Sequence, residues 1–135
     1  MSRTTTSSPR TASFLKVTLA LQTLCLFFQA STAGALLTSS RGYLLHDIGS
    51  WVMYSAALLY LLATVLAWRP GGGSVRPVLY AVGFLALASA QVALGVAHVA
   101  SLHVPLGVVL FTLSTLALVR ALAPHVRPRR SAAGA

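Results

Sequence analysis

Residues 48–68 read IGSWVMYSAALLYLLATVLAW, an almost wholly apolar run without a charged side chain. A helix needs about 20 apolar residues to cross the hydrocarbon core of a bilayer. In that core only helices and closed barrels satisfy every backbone hydrogen bond, and this run lacks the alternation of a barrel strand. The segment is therefore predicted to be a membrane-spanning helix, and it decides the fold class.

Three further apolar runs lie at residues 17–37, 77–98 and 103–122, and the last of them has a charged residue, Arg120, near its end. Only 8% of the 135 residues are charged and 56% are hydrophobic, whereas about 25% of the residues in a soluble domain are charged. We expect an all-α bundle of four transmembrane helices over residues 14–122, between a disordered cytoplasmic tail at residues 1–13 and a basic cytoplasmic tail at residues 123–135.

The first run has some features of a cleaved signal peptide, because basic residues precede it and residues 31–33, STA, resemble a cleavage site. The run is longer than the apolar region of a typical signal peptide. We therefore expect it to be retained as the first span.

Basic residues define the expected orientation. Arg41 alone lies on one side of the predicted spans, and the other side carries Arg3, Arg10, Lys16, Arg69, Arg76, Arg120, Arg127, Arg129 and Arg130. The positive-inside rule predicts that both termini are cytoplasmic, and the Arg-rich composition favours a bacterial inner membrane. The net charge of +9 indicates attraction to anionic lipid. Without basic residues interleaved with aromatic ones, it does not indicate nucleic-acid binding.

A sparse pattern occurs twice along the chain. The first copy is Gln29, Gly34, Leu45-His46 and Gly49, and the second is Gln91, Gly95, Leu102-His103 and Gly107. The pattern predicts two pseudo-repeated helical hairpins related by an axis along the membrane normal. A chance recurrence of so few letters is the alternative.

His46 and His103 begin the second and fourth spans, so both are expected at the same depth near the outer face. If those spans are diagonal, the two imidazoles face each other, and bundle cores commonly hold cofactors between such side chains. The expected cofactor is one heme b, with its iron bound by both histidines. The alternative is a pair of ordinary interfacial histidines.

The glycines and glutamines of the repeated pattern are candidates for supporting roles at the heme site. Gly49 and Gly107 either leave room for the macrocycle or allow close helix packing. Gln29 and Gln91 either donate to a cofactor or bond across helices.

Other polar residues on the predicted outer side are further candidates for the heme or metal site. Asp47 is the only carboxylate side chain of the protein and adjoins His46; its partner is either that imidazole or Arg41, a supporting candidate. His98 is an alternative iron ligand, or the third ligand of a three-histidine metal site, which is less favoured because no carboxylate or thiolate cluster joins it. His125 is expected to be solvated in the tail.

At these residues the chain resembles one four-helix half of heme A synthase. Each half of that family offers a histidine on its second and fourth spans to a heme, and His46 and His103 match those positions. The resemblance covers about residues 14–122 and implies a bis-histidine heme within a four-helix bundle. The chain is also similar to small bacterial four-span membrane proteins with the same Gln…Gly…Leu-His pattern.

The chain departs from the family pattern at two positions around the first histidine. Tyr43 stands where the substrate half has a glutamate, and Asp47 stands where an arginine follows the histidine. The outer-loop cysteine pair of many members is also absent, since Cys25 is the only cysteine. These departures argue against heme hydroxylation and leave the pattern of a cofactor-holding half.

The expected function is therefore electron transfer or heme handling beside a respiratory or other redox partner in the membrane, or as a homodimer. We expect no independent catalytic activity, because the sequence has no nucleophile–base pair, phosphate-binding loop or paired carboxylates. A cofactor-free accessory or structural membrane protein is the alternative. Half of a dimeric transporter is a third interpretation, disfavoured by the scarcity of buried charge.

Overall fold

The structure is a computed structural model that describes residues 9–69 and 72–124. Its helices are α1 (Pro9–Ala35), α2 (Ser40–Trp68), α3 (Arg76–Val96) and α4 (Ala100–Leu122). All four are long and apolar enough to cross a membrane. The predicted all-α fold with four helices of membrane-spanning length is confirmed.

The first two helices are longer than the apolar runs that predicted them. α1 begins at Pro9 and α2 at Ser40, because a helix continues past the bilayer core until it is capped. At α2 the Oγ of Ser39 caps the helix by accepting from the backbone N–H of Arg41 at 3.1 Å. His46 therefore lies in the second turn of α2 rather than ahead of the helix.

The two predicted tails lie only partly within the described residues. Residues 9–13, expected in the disordered N-terminal tail, form the first turns of α1. Residues 1–8 and 125–135, with His125 among them, lie outside the described residues, so what the sequence predicts for them stays a prediction.

Helices alternate in direction, and each packs against two neighbours. The packed pairs are α1 with α2, α2 with α3, α3 with α4, and α1 with α4. Over the described chain, α2 and α4 make no close backbone approach to each other, and neither do α1 and α3. The four helices therefore form a ring in which α2 and α4 are diagonal.

Small side chains allow this close packing. α2 contributes Ala56, Ala57, Ala63 and Ala67 to the core, each less than 9% exposed. In a bilayer, helices associate through close backbone contact and interhelical hydrogen bonds rather than through a hydrophobic driving force. Most large apolar residues of α4 instead point outward, as expected for side chains that face lipid.

Candidate functional site

The two histidines meet across the interior of the bundle. His46 on α2 and His103 on α4 have ring centroids 6.3 Å apart, with an angle of 66° between the ring planes. Both side chains are partly buried. The diagonal arrangement of α2 and α4 thus brings together the two residues singled out from the sequence.

Hydrogen bonding determines the tautomer of His103. Its Nδ1 lies 2.9 Å from the backbone carbonyl oxygen of Gln91 on α3. A carbonyl oxygen can only accept, so Nδ1 carries the proton and donates it. The Nε2 atom of neutral His103 is therefore left with its lone pair, the form in which an imidazole binds a metal.

The tautomer of His46 follows from one further hydrogen bond. Its Nδ1 lies 3.2 Å from the Oγ1 of Thr32. That hydroxyl has a single hydrogen, which it donates to the backbone carbonyl of Gln29 at 3.0 Å. In this arrangement Thr32 accepts from Nδ1–H of His46, and neutral His46 then also keeps a lone pair on Nε2.

The separation of the rings is compatible with a shared metal ion. With about 2 Å for each metal–nitrogen bond and about 1.1 Å from nitrogen to ring centre, two imidazoles that bind one metal would have centres up to about 6.2 Å apart. Packed aromatic rings occur at similar separations. The distance alone does not distinguish the two situations, and the matched tautomers carry more weight.

Each glutamine of the sequence pattern packs against the glycine paired with it. The space that a Cβ of Gly49 would occupy is filled by the Oε1 of Gln29, and a Cβ of Gly107 would lie 2.9 Å from the Nε2 of Gln91. Gln29 Nε2 also donates to the backbone carbonyl of His46 at 2.9 Å. The two glycines thus make room for amides of adjacent helices.

The amide oxygens of these glutamines have unused hydrogen-bonding capacity. Gln29 Oε1 and Gln91 Oε1 are both enclosed by protein and accept no hydrogen bond from the described residues. Buried polar atoms are normally paired. Each hairpin therefore contributes one imidazole lone pair and one free amide oxygen near the outer end of the bundle.

Sequence reasoning missed two contributors to this site. In the sequence, Thr32 stands out only as part of a possible cleavage site, although it lies one turn after Gln29 on the same face of α1. Gly95 stands out only as part of the repeat, yet a Cβ there would lie 3.0 Å from the Cε1 of His103. Residue spacing on one helix face could have identified Thr32, whereas the Gly95 contact depends on how α3 packs against α4.

The remaining candidates are exposed side chains. Arg41 and Asp47 are exposed, and neither hydrogen-bonds to a histidine ring. His98 is exposed in the turn after α3, with a φ of 56°. Within residues 9–69 and 72–124 no three His, Cys, Asp or Glu residues are grouped to hold a metal ion, so His98 is not grouped with His46 and His103.

No family model, curated protein or solved structure matches this chain. Its function is therefore inferred from the geometry of the site.

Proposed function

We propose that this four-span membrane protein binds one heme b, whose iron His46 and His103 would hold through their Nε2 atoms. The observation that carries the proposal is that the His46 and His103 rings meet across the bundle with centres 6.3 Å apart, while each Nδ1 is hydrogen-bonded to another helix. Bound there, the heme would supply one-electron transfer.

The groups around the rings support this assignment. A metal-binding histidine normally donates its other ring N–H to a protein acceptor, which fixes the tautomer and the ring orientation. Thr32 and the carbonyl of Gln91 are such acceptors. Both rings are thus oriented by groups on adjacent helices, which is the arrangement that axial ligation requires.

The contact of a glutamine with a glycine in both hairpins supports an internal repeat. In this proposal, α1–α2 and α3–α4 are two related hairpins that each supply one axial histidine. The unequal spacing between glutamine and histidine arises mainly inside the helices, because His46 is the seventh residue of α2 and His103 the fourth of α4, whereas the connecting turns differ by one residue.

The charge distribution supports a location in the inner membrane with both termini cytoplasmic. Arg10, Lys16, Arg69, Arg76 and Arg120 lie at one end of the alternating helices, and Arg41 lies at the other. Reporter fusions after α4 and in the α1–α2 turn test this orientation. A C-terminus outside the cytoplasm would contradict it.

The decisive experiment is the absorption spectrum of the protein purified in mild detergent from heme-sufficient cells. The proposal predicts a low-spin b-type spectrum with a sharp α-band after reduction. Protein that remains without heme after reconstitution would contradict the proposal. The cofactor-free accessory protein would then be favoured, since edge-to-face ring packing also accounts for the histidine pair.

A further inference from the structure

The interior face of α1 is polar along most of its length. Its residues at successive turns are Thr18, Gln22, Cys25, Gln29 and Thr32. A helix that packs on a core normally presents apolar residues on that face. Thr18, Gln22 and Thr32 are 2%, 0% and 5% exposed, respectively. Polar residues in membrane spans are functional candidates by default.

Gln22, Thr23 and Ser114 form a buried group that we call the midplane cluster. Gln22 Nε2 donates to Ser114 Oγ at 3.1 Å, and the hydroxyls of Ser114 and Thr23 are 2.8 Å apart. When Thr23 donates its own hydrogen to the backbone carbonyl of Leu19 at 2.9 Å, it accepts from Ser114. The hydrogen bonds therefore run in one direction, and Gln22 Oε1 is left without a donor.

The cluster lies far from the histidines along the helix axes, toward the predicted cytoplasmic side. Gln22 precedes Thr32 by ten residues and Ser114 follows His103 by eleven, which corresponds to about 15 Å along a helix. The hydrocarbon core is about 30 Å thick. The cluster is therefore close to the middle of the bilayer, where lipid offers no hydrogen-bond partner.

A second unpaired group packs in the same region of the bundle interior. Tyr80 precedes Gln91 by eleven residues on α3, and its hydroxyl is enclosed by protein without a hydrogen bond from the described residues. The Tyr80 ring packs in the same core cluster as Leu19, whose carbonyl ends the hydrogen-bond chain. The unpaired Oε1 of Gln22 and the unpaired hydroxyl of Tyr80 therefore lie in the same part of the bundle interior.

We infer that the midplane cluster binds an internal water molecule that donates to Gln22 Oε1 and hydrogen-bonds to the hydroxyl of Tyr80. An unsatisfied polar group in the membrane carries a large free-energy cost, and buried waters characteristically join such groups. The water gives the bundle a polar contact halfway between the cytoplasmic side and the histidines. This inference does not depend on heme binding.

Water-edited solid-state NMR of the full chain in lipid bilayers tests the inference directly. We expect magnetisation transfer from water to the side-chain amide of Gln22, assigned by its disappearance in Gln22→Met. The transfer should be lost in Tyr80→Phe and retained in Tyr60→Phe, which removes a hydroxyl from the adjacent ring. Absence of transfer in the wild type, or full retention in Tyr80→Phe, would overturn the inference.

Thermal unfolding supplies a second and independent readout. Tyr80→Phe should lower the Tm, because it removes a bonded hydroxyl; if that hydroxyl were truly unpaired, its removal would raise the Tm. A lower Tm without water transfer would indicate a direct bond from Tyr80 to Gln22 and would also overturn the inference. Neither measurement involves heme, so failure of the water inference can be distinguished from failure of the heme proposal.

Discussion

The imidazole rings of His46 and His103 lie 6.3 Å apart although they belong to helices whose backbones do not pack against each other. The side chains reach across the interior from opposite corners of the ring of helices. Their Nδ1 atoms are bound to α1 and α3, respectively. All four helices therefore contribute to the position of the pair.

Removing either histidine should abolish the low-spin heme spectrum. His46→Ala and His103→Ala each delete one axial ligand of the proposed site, so we expect loss of heme or conversion to a high-spin spectrum. Absorption and electron paramagnetic resonance of the purified variants measure this. His98→Ala is the matched control, because that residue is exposed in a turn, and its spectrum should equal the wild-type one. Loss of the spectrum in His98→Ala alone would show that the ligand assignment is wrong.

Thr32→Val should weaken heme binding without removing a ligand. Valine has nearly the shape of threonine but cannot accept from Nδ1–H of His46, so the ring loses the partner that orients it. Loss of such an outer partner typically lowers metal affinity about 10- to 100-fold, and heme titration of the apo-protein measures the change. The control is Thr112→Val, which removes an exposed hydroxyl bonded only within its own helix. Equal affinities of the two variants would contradict the role given to Thr32.

Two glycine substitutions should shift stability in opposite directions. A Cβ at Gly42 would lie 2.5 Å from the backbone carbonyl oxygen of Ala35, whereas a Cβ at Gly83 would meet nothing within 4 Å. Gly42→Ala should therefore lower the free energy of unfolding by about 2 kcal/mol, as overpacking does. Gly83→Ala should raise it by about 0.5–1 kcal/mol through helix propensity. Denaturation of both variants in the same detergent gives the comparison, and an undiminished stability of Gly42→Ala would refute the close approach of α2 to the end of α1.

The contact between Gly107 and Gln91 should appear as non-additive stability. Gly107→Ala pushes a Cβ onto the amide of Gln91, and we expect a cost of about 1 kcal/mol. In a Gln91→Ala background the obstructing amide is gone, so the same change should be neutral or stabilising. The backbone carbonyl at position 91 still accepts from His103 in both backgrounds. A double-mutant cycle measures the coupling, and purely additive effects would contradict the contact.

The number and type of the helices were predictable from hydropathy alone. Four apolar runs predicted four membrane-length helices because a bilayer enforces both the length of a span and its internal hydrogen bonding. The helix ends were less predictable, since hydropathy identifies the residues inside the bilayer core and caps such as Ser39 decide where a helix begins. Heme binding, the internal repeat and the cytoplasmic termini stay predictions of the sequence.

The sequence alone also singled out His46 and His103, through their matched positions at the starts of two spans. What it left open was whether the second and fourth helices are diagonal, because local periodicity carries no information on which helices pack together. Tertiary packing placed those helices at opposite corners and set Thr32 and the Gln91 carbonyl against the Nδ1 atoms. The availability of both Nε2 lone pairs was therefore decided only in the folded bundle, because a ring tautomer depends on acceptors supplied by other helices.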